Sequence, residues 1–304
     1  MGASSILSSQ HDVVLAGGME SMTNVPYYVP AARSGARLGD STLVDGMIKD
    51  GLWDPYEDIH MGECAERVAD EFQVSREAMD SHALESVRRA VRAREAGITR
   101  WEIAPVAVKG TRGKPDALVV EDEAVSKMDA ARLPKLRPSF RRGPDGRVTP
   151  GNASPITDGA AALVLVSGRV VLERNLAPLA LVRGFADGAV QPDRFPVAPS
   201  VAAPKALARA GLSTADVDVW EINEAFSIVH LVNRRVLGIA DDASVNPLGG
   251  AVALGHPIGA SGARIVVTLI NGLRALKKKI GCAAICNGGG GSSAIVLEYV
   301  GDYA

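Results

Sequence analysis

Three short stretches hold the residue types that move protons and stabilise oxyanions: EINEAF at Glu221–Phe226, GGAVALGHPIGASG at Gly249–Gly262 and CNGGGG at Cys286–Gly291. They stand near the ends of expected strands, where open α/β sheets carry their sites. His256 lies between Gly255 and Pro257, in a stiff turn with close backbone approach on both sides. An imidazole there suits proton abstraction near neutral pH or donation to a developing oxyanion; a packed turn histidine is the alternative. Cys286 is followed by four glycines, whose bare backbone lets a substrate lie close and whose N–H groups can gather around an anion. Its thiol becomes an acid or base once its environment tunes it, whereas Cys282, on the same side of the strand, reads as a small core residue. Asn223 and Glu224 join a strand to a helix, and a simple helix cap accounts for them equally well. A serine-nucleophile elbow is excluded at Ser261, because Ala263 stands where that motif needs glycine.

The elements that must position these residues alternate along the chain. Asp12–Gly18 reads as a buried strand running into glycines. Ser75–Ala96 reads as a helix with Ser75 as N-cap and Gly97 closing it. From Asn24 to about Arg147 the chain is otherwise rich in Pro, Gly and charge and reads as an inserted, loop-rich subdomain, within which Asp116–Arg142 reads as a solvated excursion. From Ala160 onward strands and helices alternate regularly: strands at Ala160–Ser167, Leu179–Ala186, Val217–Ile222, Ile280–Cys286 and Ser293–Val300. Helices fall at Arg169–Asn175, Pro204–Ala210, Ala225–Leu237 and Ser261–Lys277. This pattern predicts a layered α/β fold with a mostly parallel sheet, made mixed by the last two strands across their glycine turn.

Length and composition fit such a chain. The 304 residues suffice for about two domains. Lys and Arg total 33 against 35 Asp and Glu, so no overall positive field exists to hold nucleic acid or an anionic membrane, and no apolar run reaches the length of a membrane span. Cys64, Cys282 and Cys286 form an odd set without paired spacing, which excludes a secreted disulfide framework and a structural zinc site and suits a reducing compartment. Phosphate-loop, dinucleotide, HExxH and EF-hand patterns are missing from the sequence.

Taken together, NEAF at Asn223–Phe226, GGAVALGHPIGASGAR at Gly249–Arg264 and CNGGGG at Cys286–Gly291 resemble the thiolase family, specifically its biosynthetic acetyl-CoA acetyltransferases. AGGMESM at Ala16–Met22, HMG at His60–Gly62 and the GNAS and DGAAAL runs within Gly151–Leu163 extend the similarity along the chain. The resemblance implies an αβαβα layered fold with mixed sheets: residues 1–26 and 157–178 as what is present of a first half-domain, an inserted loop domain at 27–156, and a second half-domain at 179–304. It implies Claisen condensation of two acetyl-CoA molecules and the reverse thiolysis, with coenzyme A thioesters as substrates and no permanently bound cofactor. In this likeness His256 is the base that activates the nucleophile and helps form one oxyanion hole, and Asn223 orders a water there. Cys286 exchanges the α-proton, and the Gly288 N–H donates in the second oxyanion hole. Lys127, Met128, Asp129 and Arg132 stand where the adenosine-phosphate end of coenzyme A is gripped, and Ser154 where pantetheine passes. Val87 replaces the tyrosine with which some members hold potassium, so no metal is implied.

The family's nucleophilic cysteine belongs to a CASG-type motif ahead of AGGMESM, and the chain is expected to begin just past it, with no turnover of its own. A homo-oligomer, dimer or tetramer, is implied, along with a cytoplasmic setting; mitochondrial and peroxisomal settings stay open, as do a degradative 3-ketoacyl-CoA thiolase and a non-catalytic coenzyme A-binding protein.

Overall fold

The computed structural model describes residues 1–110, 113 and 115–301. Helix α1 (Gly2–Leu7) leads into β1 (Val13–Ser21), which pairs antiparallel with the distant β8 (Asp158–Val166), Val13 opposite Val166 and Ser21 opposite Asp158. Between them run the small antiparallel pairs β2 (Tyr27–Tyr28) with β3 (Val44–Asp45), β4 (Trp53–Asp54) with β5 (Ile59–His60), and β6 (Val106–Val108) with β7 (Ala117–Val119). The same stretch carries α2 (Met61–Glu71) and α3 (Arg76–Glu95). Ser75 caps α3 by accepting from the Ala78 N–H, and Gly97 follows at φ +71°, as the sequence predicts.

After β8 come α4 (Gly168–Glu173), β9 (Ala180–Ala189), α5 (Pro199–Ala210), β10 (Val219–Ile222), α6 (Ser227–Val236), α7 (Ala251–Leu254), α8 (Ile258–Leu276), β11 (Ile280–Asn287) and β12 (Gly291–Tyr299). The second sheet has the order β10-β11-β12-β9. Only β10 and β11 run parallel; β12 pairs antiparallel with both β11 and β9. The expectation of a mostly parallel sheet is therefore corrected. The glycine turn at Gly288–Gly290 reverses the chain locally, and β12 then supplies an antiparallel edge on which β9 pairs.

Layering follows from where the small residues fall. On one face of the sheet Gly184 and Gly188 of β9 let the backbone of α5 approach closely. The other face receives α8, whose Ile265, Leu269 and Leu273 pack on Val219, Ala283 and Leu297. Gly18 of β1 and Gly159 of β8 in turn meet Gly259 and Pro257 at the start of α8, so that helix lies between the two sheets. The outer face of the β1–β8 pair is open: Val13, Leu15, Met19 and Val164 are exposed, and Val164 at 67% corrects the reading of its strand as buried. Helix α2 has no core apart from the carboxyl-terminal half, since Met61, Cys64 and Val68 share one cluster with Ala203, Trp220 and Phe226. Nor is Asp116–Arg142 wholly solvated, because Val125 and Leu133 are buried against α3 and α7.

A Cβ added at Gly188 would lie 2.8 Å from the Ala202 amide nitrogen, a backbone atom that cannot yield cheaply. Gly188→Val is expected to lower stability by about 1–3 kcal/mol, measured as a fall in the urea midpoint.

Candidate active site

Asn223 continues the β10–β11 ladder by one residue, its N–H donating to the Ala284 carbonyl at 3.0 Å. Cys286 follows Ala284 by two residues on β11, so the amide and the thiol stand at adjacent, parallel strand ends. The outer edge of β10 is closed by the segment at Val245 and Asn246, where Val245 bridges Trp220 in parallel and the Asn246 N–H donates to the Trp220 carbonyl at 2.8 Å. Asn246, at φ +48°, supplies with its side chain the main-chain bonds that a neighbouring strand would make at Ile222: Oδ1 accepts from the Ile222 N–H and Nδ2 donates to the Ile222 carbonyl, each at 2.8 Å. Asparagine tolerates that left-handed backbone better than most residues.

His256 reaches the same place from the other side. Gly255 precedes it at φ +103°, and a side chain there would collide with Thr157. The Ser261 hydroxyl donates to the Pro257 carbonyl at 2.8 Å, so it can only accept from His256 Nδ1–H, 2.5 Å away. That leaves Nε2 with its lone pair, and Asn223 Nδ2 donates to it at 3.3 Å. Burial, with help from the positive Arg264 side chain, pushes His256 down to about 4. At neutral pH the ring is therefore an uncharged base whose free nitrogen faces Asn223. Asn223 Oδ1 is buried and has no protein partner, leaving an acceptor for a water or substrate donor.

Burial pushes the Cys286 thiol up to about 12, and Cys282 likewise, so both rest protonated. After Cys286 the chain turns through Gly289 and Gly290, both near φ +80° and so suited to glycine. A Cβ at Gly288 would come within 2.7 Å of the Met61 methyl, which brings the HMG segment against this turn. His60 caps α2 with Nδ1, accepting from the Gly62 N–H at 2.9 Å.

Ser154 binds beside Asn223, its N–H and hydroxyl both donating to the Ala225 carbonyl at 3.1 and 3.0 Å. Lys127 and Arg132 are exposed, Lys127 pairs with Glu123 at 2.8 Å, and Asp129 Oδ1 closes its own turn on the Ala131 N–H. Met128 packs with Val252 of α7, the short helix that precedes His256, so this segment is mechanically joined to the site. Val87 packs beside Ala90, Val125 and Ala253.

Asn223 and Glu224 do not cap a helix. Helix α6 starts at Ser227, while Asn223 and Glu224 are buried before it. Glu224 accepts four hydrogen bonds: from His82 Nε2 at 3.1 Å, Asn246 Nδ2 at 2.8 Å, the Ser86 hydroxyl at 2.7 Å and the Val252 N–H at 3.1 Å. The His82 ring stacks on His230 with centroids 3.9 Å apart, and His230 Nε2 meets Asp242 at 2.9 Å. Burial raises the Glu224 carboxyl, but His82, His230 and Asn246 outweigh it and hold it below the usual carboxylate range. His82, Glu224 and His230 bring three possible ligand atoms within 4.8 Å of one another. A metal ion would have to displace donors already filling the carboxylate, so the group reads better as a proton-holding cluster. Sequence reasoning noted Glu224 only as a capping candidate and missed His82, Ser86, His230 and Asn246. The available signal was His82 and Ser86 four residues apart on one face of α3.

The match with known proteins agrees with this arrangement. The model of the thiolase N-terminal domain matches residues 1–169, and that of the thiolase C-terminal domain matches residues 176–299. The chain belongs to the thiolase family. It is 53% identical over 302 residues to acetyl-CoA acetyltransferase 1 of Arabidopsis thaliana, covering 99% of this thiolase and 72% of that protein. Identity to acetyl-CoA acetyltransferase of Saccharomyces cerevisiae is 50% over 301 residues, covering 99% and 75%. Among solved structures, the Acat5 thiolase of Ascaris suum in complex with coenzyme A superposes with a TM-score of 0.92 at 43% identity, covering 99% of this chain and 75% of that one.

His256 and His230 each titrate near 4 in the folded thiolase and near 6.5 when unfolded. As pH falls from about 6.5 to 4 the unfolded chain takes up protons that the native rings refuse. Stability is therefore expected to fall by up to about 1.4 kcal/mol per pH unit for each ring, checked by denaturant titrations across that window.

Proposed function

We propose that this thiolase is an acetyl-CoA C-acetyltransferase, acting on acetyl-CoA and acetoacetyl-CoA. The observation that carries the reading is the meeting of Asn223 with the unprotonated Nε2 of His256, beside the strand end that bears Cys286. The names of its relatives and the coenzyme A complex of its structural neighbour support the substrate class.

In the synthetic direction a cysteine thiolate attacks the thioester carbon of one acetyl-CoA, and the collapsing tetrahedral intermediate expels coenzyme A. The departing coenzyme A thiolate takes the proton of the Cys286 thiol, and the Cys286 thiolate so formed removes an α-proton from a second acetyl-CoA. Its carbanion attacks the acyl-cysteine carbonyl, forming the new carbon–carbon bond and releasing the cysteine as the leaving group. Thiolysis reverses these steps. His256, neutral and with a lone pair on Nε2, accepts the proton of the attacking thiol; once protonated it donates to the oxyanion. Asn223 holds that ring and offers its free Oδ1 to a water in the same hole. Enolate formation must place negative charge beside Gly288, where backbone N–H groups receive it without reorganising.

The acyl-carrying sulfur has no good candidate among the three cysteines. Cys64 and Cys282 are buried core thiols pushed up to about 12, and neither lies in a CASG motif. The 304 residues are thus proposed to perform the α-proton half of the chemistry. We also propose, from the family resemblance, that the protein self-associates as a dimer or tetramer and works in a reducing compartment, the cytoplasm.

In deuterated buffer the protein is expected to bind acetyl-CoA and exchange its methyl protons, read by mass spectrometry, without net cleavage of acetoacetyl-CoA. Cys286→Ala should slow exchange about 10²–10⁴-fold while binding persists. Absence of both binding and exchange in the folded protein would sink the assignment.

A further inference from the structure

Glu224 bonds to His82, Ser86, Asn246 and Val252 and not to the His256 ring or Cys286, yet it lies between the segments that bring Asn223 and His256 together. It is bonded in sequence to Asn223, and it accepts from the N–H of Val252, four residues before His256. Gly250 makes room for it, since a side chain there would strike the carboxylate. Its remaining partners come from helix α3, which supplies His82 and Ser86, and from Asn246, which also holds the Ile222 backbone. One carboxylate therefore fastens the Asn223 loop, the helix leading to His256 and α3 of the inserted segment.

We infer that Glu224, with His82 as its ring donor, is a positioning residue that fixes the Asn223–His256 distance. This rests on the reading of those two residues as the catalytic pair. Charged groups face the cluster and the His256 ring from several elements: on one side the buried Glu221 of β10, which repels Glu224 and lies 3.6 Å from Arg264 of α8, whose charge also acts on His256. His230 from α6 stacks on His82, and its buried Nδ1 has no hydrogen-bond partner and lies 3.9 Å from Glu224 Oε1. Asp242, beyond His230, is held by Arg89 from α3 at 2.5 Å and Arg234 from α6 at 3.3 Å, and Glu85 pairs with Arg89 at 2.7 Å. His82 Nε2 meets Glu224 at 3.1 Å, while burial first, and then His82, push the stacked His230 down to about 4. The stacked pair thus carries the donor for one carboxylate on its inner side and passes Asp242, which is one-third exposed, on its outer side.

The test uses the 304-residue protein labelled with ¹⁵N-histidine, whose long-range ¹H–¹⁵N spectra report the tautomer and titration of each ring. The wild type should show His256 protonated on Nδ1. His82→Phe keeps a ring but removes the donor, and Glu224→Gln removes the charge. Both should move the His256 Nε2 signal at neutral pH and raise its titration midpoint by about half a unit or more, because the Asn223 N–H that favours the neutral ring is lost. His82→Gln, which restores an N–H donor, should return the signal toward its original place. Ordinary destabilisation without any change at His256 in the folded variants would overturn the inference, as would failure of His82→Gln to differ from His82→Phe. If Glu224→Gln does not fold, the two His82 variants decide. Because the readout is spectroscopic, failed α-proton exchange with intact coupling would count against the proposed activity and leave the positioning role standing.

Discussion

Placing a carboxylate out of reach of water costs several kcal/mol unless donors surround it, and the centre of this molecule is organised around meeting that requirement for Glu224. The four donors arrive from three separate parts of the chain: α3, Asn246 and the start of α7. The cost of leaving any one of them out is what makes the surrounding geometry specific: α3 must dock so that His82 and Ser86 reach inward, Asn246 must take a left-handed backbone, and α7 must begin at Val252's neighbourhood with no side chain on Gly250. A hydrophobic core alone would tolerate small slides between these pieces; a fully satisfied buried charge does not.

Around this anchor the reactive groups are kept uncharged. Burial and Arg264 hold His256 as a free base, and burial holds Cys286 as a thiol. The two shifts are complementary. A neutral imidazole can take a proton at physiological pH, while a thiol that resists ionisation becomes a strong base once it has given its proton up. Arg264 lies 3.6 Å from the buried Glu221, whose carboxyl burial raises well above the ordinary range, so its positive charge is only partly offset and still acts on the ring. Both effects depend on excluding water, which the close packing of Met61 on Gly288 and of Thr157 on Gly255 provides.

The sequence made visible what depends on local chemistry. Ser75 and Gly97 mark the ends of α3, glycines mark the turn after Cys286, and the motif residues Asn223, His256 and Cys286 are conspicuous by type. What it hid depends on distant pairing. Strand β8 looks buried from its apolar run, but alternate residues face an open side, and no local signal reveals that β1 is its partner. The antiparallel majority of the sheet was masked by helices between strands, which suggest parallel crossovers. Glu224 looked like a cap because its four donors lie outside its own segment, the nearest of them Asn246 and the farthest His82. Lys127 and Arg132 enter as a phosphate grip through the family likeness, with charge that suits it, and the structure adds that Met128 ties their turn to α7.

The pairing of β1 with β8 has a consequence for biosynthesis. Ser21 cannot find Asp158, nor Val13 find Val166, until the ribosome has released the far strand. At about 5–20 residues per second β1 waits roughly seven to thirty seconds for that partner. Glycines at positions 17 and 18 interrupt that strand and weaken its affinity for foreign chains, but Val13, Leu15 and Met19 remain adhesive. The time for which β1 stays unpaired is thus set by the length of chain between the two strands rather than by the strength of their pairing.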